Sequence, residues 1–169
     1  MKKGIIVAMD DMALIAVDGH IPWHIPEDLQ HFKKVTMGNG NNAVIMGRKT
    51  FESLPKPLHG RKNYVVSRSM REGSYDEYTV VSSLQQALDS AESEGFDEAW
   101  VIGGHNLYLA MRYLWDIAEM TIVFGNYANP EANSHTYFPL AVHYKTQYSR
   151  VEHRYCGDYP VSFIRVSRG

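Results

Sequence analysis

Short apolar runs recur along this chain with amphipathic stretches between them, and that alternation limits the fold more than any other feature. The runs fall at 5–9, 43–46, 64–66, 79–81, 99–102 and 120–124. Each is rich in large apolar residues and too short for a buried helix, so each reads as a strand covered on both faces. Ser83 and Gln86 have the spacing of a capping box ahead of a Leu84, Ala87, Leu88, Ala91 stripe, and Gly95 is a natural stop. Another helix is expected after Gly103 and Gly104, running towards Tyr113. Strand–helix alternation predicts an α/β fold: a mostly parallel twisted sheet with helices on both faces. The end differs, because Thr146–Cys156 and 161–166 flank Gly157, Asp158, Tyr159 and Pro160, an antiparallel hairpin. A length of 169 residues fits one domain, 1–169, with one sizeable core.

The formal net charge of −2 argues against a nucleic-acid or anionic-membrane partner. No apolar run approaches the roughly 20 residues needed to cross a bilayer. The apolar run after Lys2 and Lys3 is cut short by Asp10 and Asp11, so it reads as a first strand and not as an export leader. With Cys156 as the single cysteine, no internal disulfide forms, which suits a reducing, cytoplasmic setting.

The segment from Pro22 to Leu29 is the most informative. Two prolines hold the chain extended and then start a helix near Glu27. On that helix Asp28, Phe32 and Val35 share one face, whereas Glu27, His31 and Lys34 share another that reads as solvated. Asp28 therefore points where apolar residues point, with no obvious partner nearby in sequence. Two readings stay open. Asp28 favours the positive end of the helix dipole, or it awaits a ligand whose paired N–H groups offer two parallel hydrogen bonds.

Gly47, Arg48, Lys49 and Thr50 follow a strand and open a helix, a pattern equally compatible with an anion site and with a solvated basic turn. It is not a Walker A loop, since no glycine sits five positions before Gly47. Gly103 and Gly104, followed by His105 and Asn106, repeat the strand–turn–helix logic and permit close approach of a ligand to the backbone. Arg61 has a planar fork suited to a carboxylate, although a surface role is the commoner fate of an arginine. Arg48, Lys49 and Arg68 all lie at predicted strand ends, which in a parallel sheet share one rim, and three cations there suit a phosphate ester. His20 and His24 have a zinc-like spacing, but Pro22 separates them, so no metal is expected. Trp23, Trp100, Trp115 and Cys156 read as packing residues.

Five segments taken together resemble dihydrofolate reductase: Ile21 to Leu29, Val44 to Ser53, Pro57 to Asn63, Val101 to Gly104, and Thr136 to Pro139. They follow the family's order over nearly the whole chain. The resemblance implies a central eight-stranded sheet, with the adenosine half of NADPH held by roughly 43–95, and an NADPH-dependent reduction of dihydrofolate by a monomer. It implies that Asp28 grips the pterin, assisted by Trp23, with Ile21 on a mobile loop over the nicotinamide. Ile6, Val7, Ala8, Leu29, Phe32, Leu54, Ile102 and Tyr108 would line the substrate pocket, and Arg61 would hold the glutamate tail. Ala8, Ile15, Gly47, Arg48, Lys49, Thr50, Ser67, Arg68, Ile102, Gly103, Gly104, His105, Asn106 and Tyr108 would contact the cofactor. The family's pterin-side threonine aligns with Val123 or Phe124, so a contact to Asp28 is expected to be missing or replaced. Ile15-Ala16 stands where an apolar-glycine pair is usual, and His105-Asn106 also departs from the pattern. Two rivals remain, a related NADPH-dependent reductase of another heterocycle, and a non-enzymatic folate-binding protein.

Overall fold

The computed structural model describes residues 1–139 and 146–169. Along the chain it runs β1 (Lys2–Asp10), β2 (Leu14–Val17), α1 (Pro26–Met37), β3 (Asn42–Gly47), α2 (Arg48–Ser53), β4 (Lys62–Val66), β5 (Gly73–Ser74), β6 (Thr79–Val81), α3 (Leu84–Ser93), β7 (Glu98–Gly103), α4 (His105–Met111), β8 (Ile117–Val123), β9 (His135–Tyr137), β10 (Thr146–Cys156) and β11 (Tyr159–Arg168). Nine strands make one sheet in the order β10-β11-β8-β1-β7-β3-β4-β6-β5. The contacts between neighbours from β8 through β6 are all parallel. The C-terminal hairpin adds β11 antiparallel to β8 and β10 antiparallel to β11. The ninth strand, beyond the eight expected, is the two-residue β5 on the far edge.

Side chains alternate across the strands and so feed both faces. One face packs Ile5, Val7, Ile45 and Val101 against the apolar stripes of α3 and α4. The other packs Ile6, Val44, Met46 and Trp100 against Phe32 and Val35 of α1 and Phe51 of α2. A third cluster joins Trp23 and Ile25 to Val123, Cys156 and Phe163. All three tryptophans and Cys156 are buried, as their sequence context predicts.

The local signals act nearly where expected. Ser83 accepts the Gln86 backbone N–H and opens α3, but the Gln86 side chain answers to the N–H and hydroxyl of Ser82, one residue earlier than a capping box requires. Gly95 takes a left-handed φ of 82° past the end of α3, a conformation that costs glycine little. The strand expected at 120–124 begins earlier, at Ile117, and ends at Val123, because its register follows β1 from Gly4↔Ile117 to Asp10↔Val123. Strands β2 and β9 were not foreseen; they form a separate two-stranded ribbon carrying Ile15 and Ala16.

Buried Asp10 holds that ribbon to the sheet. Its carboxylate accepts the backbone N–H groups of Met12, Leu14 and Tyr127 at 2.8–3.1 Å. Asp11 and Asp18 accept from Gly125 and Ser134 in the same way. The loop after β1 is thus pinned on both sides of Ala16, while Ile21 beyond it is 61% exposed.

Gly4 on β1 pairs with Trp100 on β7, and a Cβ at position 4 would overlap the indole. Gly4→Ala is expected to cost about 1–3 kcal/mol by overpacking, read as a lower urea midpoint with unchanged slope.

Candidate active site

The sheet parts where the site forms. Strand β1 stays paired with β8 as far as Asp10↔Val123, but its register with β7 ends at Ile5↔Val101. Beyond that point the main chain of Ile6, Val7 and Ala8 has no partner in register on β7, although Ile6 and Val7 stay buried. The break lies towards the carboxyl ends of parallel strands, where ligands bind in open α/β sheets. Tyr108, buried on α4, donates its hydroxyl to the Ile6 carbonyl at 2.8 Å and so satisfies one group the parting strands release. Burial pushes the Tyr108 phenol well above its ordinary value, so it stays a donor.

The expected pocket residues largely assemble. Ile6, Phe32, Leu54 and Ile102 meet on the α1–α2 face of the sheet. Ala8 packs with the Trp23 cluster. Val7 instead sends its side chain to the opposite face, among the residues under α3 and α4, which leaves only its main chain for a ligand. Leu29 is half-exposed on α1.

Pro26 stands in the first turn of α1 and Asp28 follows it. Asp28 Oδ1 accepts a hydrogen bond from Thr121 Oγ1 at 2.7 Å. Thr121 is buried on β8. It supplies the threonine sought at Val123 or Phe124, and the alignment in the sequence was displaced: Val123 is core and Phe124 lies past the strand end. The carboxyl of Asp28 sits above its usual value because burial disfavours the charge, and the Thr121 hydroxyl and the neighbouring His31 oppose that rise.

The α1 face of Glu27, His31 and Lys34 is not uniformly solvated. His31 turns inward, with Nε2 3.3 Å from Glu119 Oε2 of β8 and its ring 4.6 Å from that of Phe163. Periodicity missed this because the partner carboxylate comes from a strand that reads as apolar.

Arg61 is half-buried, and its position depends on two acceptors. Its Nε and Nη2 donate to the His59 carbonyl at 3.1 and 3.0 Å, and Nη1 donates to Thr36 Oγ1 at 2.9 Å. Thr36 is fully buried on α1 and was not foreseen; a threonine on an otherwise apolar helix face was its one signal.

At the rim, Gly47, Ser67 and Gly103 all lie at carboxyl ends of parallel strands. A Cβ on Gly103 would lie 3.4 Å from both Thr50 Oγ1 and the Tyr108 hydroxyl, and one on Gly47 would lie 3.8 Å from the Gly104 nitrogen. The two glycine turns therefore form one shallow cradle lined by backbone and the Thr50 hydroxyl. Such a surface fits a pyrophosphate, which needs close main-chain approach. Arg48, Lys49 and Arg68 are exposed around it, though Arg48 Nη1 lies 3.3 Å from Glu52 Oε1 one turn along α2. Ser67 is buried, and its hydroxyl already accepts the backbone N–H groups of Ser69 and Met70. His105 Nδ1 is bound to the Tyr137 carbonyl at 2.7 Å, whereas Asn106 is exposed. His20 and His24 lie outside every helix.

A sequence profile of dihydrofolate reductase matches residues 4–168. The chain belongs to the dihydrofolate reductase family. The family's reaction is NADPH-dependent reduction of dihydrofolate to tetrahydrofolate. Among curated relatives, the dihydrofolate reductase of Bacillus subtilis is 50% identical over 103 residues, 61% of this chain and 58% of that protein. The dihydrofolate reductase type 3 of Salmonella typhimurium is 41% identical over 139 residues, 82% of this chain and 79% of its own. A putative dihydrofolate reductase of Caenorhabditis elegans is 40% identical over 147 residues, covering 79% and 76%. In structure, the chain superposes on the Enterococcus faecalis dihydrofolate reductase, solved with NADP(H) and RAB-propyl, with a TM-score of 0.83. That match spans 99% of this chain and 96% of the other at 22% identity, a likeness of fold.

Because burial raises the Asp28 carboxyl, its ionised form opposes folding. The penalty is present at neutral pH and fades as pH falls through the folded value, where the carboxyl is protonated anyway. Asp28→Asn is therefore expected to raise Tm at pH 7, with the gain shrinking towards acid pH. If Asp28 only favours the helix dipole, the substitution lowers Tm at pH 7 instead.

Proposed function

We propose that this chain reduces dihydrofolate with NADPH, and that Asp28 is the group that recognises and polarises the pterin. The observation that carries the reading is the Asp28–Thr121 pair, a carboxylate sunk among apolar residues with one oxygen fixed by a hydroxyl and the other left for a ligand. An amidine-like N–H pair on a pterin ring offers the two parallel hydrogen bonds such a carboxylate lacks. Ile6, Phe32, Leu54 and Ile102 supply apolar walls and lower the effective dielectric, so a single negative charge acts strongly on the ring. Held on the aminopyrimidine side, Asp28 does not reach N5. It favours protonation there, and water delivers the proton. Arg61, pre-set by His59 and Thr36, presents its remaining N–H groups to the glutamate carboxylate.

The cofactor fits the glycine cradle. Gly47, Thr50, Gly103 and Gly104 would hold the pyrophosphate, and Arg48, Lys49 and Arg68 the adenosine phosphate. NADPH supplies the hydride when bound; the protein's part is orientation and charge. Ile21 and Trp23 close over the site from the loop pinned by Asp10. Arg61 and the segment from Trp23 to Asp28 favour folate over another heterocycle as substrate. Residues 1–169 act as one domain, and the chain is read as a monomer. The buried free thiol of Cys156 suits a reducing, cytoplasmic setting.

The reading is tested by pre-steady-state hydride transfer. Asp28→Asn is expected to lose most of the rate at pH 7 with the fold intact, and a rate equal to wild type removes Asp28 from the mechanism. Arg61→Leu is expected to weaken dihydrofolate binding by about 1.5–3 kcal/mol while barely changing binding of a pteridine without the tail. Equal losses for both ligands would place Arg61 in the fold and not in recognition.

Cofactor preference separates the rim cations. The exposed Arg48–Glu52 pair is worth little, so Arg48 is free to turn to a phosphate. Wild type is expected to prefer NADPH to NADH, less so with added salt, and Arg48→Ala/Arg68→Ala to narrow the kcat/KM ratio. An unchanged ratio in the double variant assigns these residues elsewhere.

A further inference from the structure

Among the described residues, Glu119 is a buried charged side chain that the mechanism above leaves unused; it is 1% exposed. It lies on β8 two residues before Thr121, so both side chains emerge on one face of the sheet. Its Oε2 is 3.3 Å from His31 Nε2 and 3.1 Å from Arg150 Nη2. Its Oε1 is 2.7 Å from Arg165 Nη1, an ion pair without hydrogen-bond geometry. A buried carboxylate persists only when paired in this way. The arginines are delivered by β10 and β11, so the terminal hairpin closes this cluster as well as the sheet.

His31 follows Asp28 by three residues on α1, the spacing at which helical side chains meet. It therefore stands between two carboxylates, Asp28 and Glu119. Around them, Glu27 and Lys34 lie on the same helix. Arg154 of β10 sits over the Phe163 ring at 4.8 Å, and the Cys156 thiol lies in the field of Asp28. A groove of about 740 Å³ between α1 and the hairpin reaches His31, Arg150 and Arg165 from solvent.

We propose that His31 and Glu119, backed by Arg150 and Arg165, form a positioning unit that sets the ionisation of Asp28 and, through it, the pH range of hydride transfer. The proposal rests on Asp28 being the pterin carboxylate. The charges give it a sign. Glu119 offsets the two arginines; without its charge the surroundings of Asp28 become more positive. Asp28 then stays ionised to lower pH, and protonation of the bound pterin becomes harder. Loss of Arg150 or of the His31 charge does the reverse. Positive charge on His31 already opposes the rise that burial imposes on Asp28.

The test uses the full chain in three variants: Glu119→Gln, His31→Gln and Arg150→Gln. NMR titration of the Asp28 side-chain carboxyl carbon, without ligand, reads the coupling directly. The pH profile of hydride transfer reads its consequence. Both midpoints are expected to fall in Glu119→Gln and to rise in the other two, by roughly half a pH unit in a partly wet site. Arg150 is partly exposed on the edge strand, so its variant carries the test even if Glu119→Gln does not fold. A purely structural cluster moves all three variants the same way or leaves the midpoints still, and either result overturns the proposal. A wild type that binds NADPH but does not reduce dihydrofolate overturns the functional reading and the hydride-transfer half of this one. Where the wild type is active, an Asp28 midpoint that stays unmoved in the three variants overturns this proposal alone.

Discussion

The parting of β1 from β7 beyond Ile5 and Val101 is the constraint on which the site depends. Two adjacent parallel strands ordinarily satisfy each other's main chain to their ends. Here β1 follows β8 instead, and Ile6 to Ala8 are left without partners in register on β7. That arrangement is tolerable because buried Tyr108 caps the Ile6 carbonyl. One hydroxyl thus satisfies a carbonyl that the break in the sheet releases. The glycine turn after β7 then brings bare backbone to the same end of the sheet. On the far side, α1 lowers Asp28 towards β8.

Asp28 shows why such a site needs contributions from distant segments. A carboxylate among apolar residues pays for its desolvation unless donors meet it. Thr121, 93 residues away, gives one hydrogen bond, and His31 adds a favourable charge. Neither removes the whole penalty, and the residue remains easier to protonate than a free aspartate. On the proposed reading, a ligand with paired N–H groups gains affinity because it completes what the fold leaves incomplete. The same logic applies to Arg61, whose fork is half-occupied by His59 and Thr36 and so is already aimed before a carboxylate arrives.

What the sequence made legible follows from the range of each interaction. The sheet strands, the hairpin and the glycine turns are local patterns, and most stand within a few residues of where periodicity places them. Strands β2 and β9 are short and pair with each other, and the chain beside them is pinned by Asp10, Asp11 and Asp18, aspartates that accept backbone N–H groups far along the chain. No local pattern announces that. Thr121 was misplaced by two or three residues because the end of β8 is set by pairing with β1 and not by its own composition. His31 looked solvated because a helical wheel shows a side chain's direction but not what lies beyond it. Glu119 sits in a run that reads as apolar strand, and its three partners come from one helix and two strands of the terminal hairpin.

These differences share a cause that bears on how the two halves of the site respond to their surroundings. On the cofactor side the charges are exposed, loosely paired and set by local sequence, so bulk salt screens them within about 10 Å at 0.1 M. On the proposed pterin side, Glu119 is buried and Asp28 partly so, and bulk salt screens them less. Their balance is fixed by packing of α1 against β8, β10 and β11, elements joined only in the folded chain. On the proposed reading, salt acts chiefly on cofactor selection and pH chiefly on the pterin end. Exposed cations at one end of the site and more buried carboxylates at the other would then keep the two binding events under separate electrostatic control.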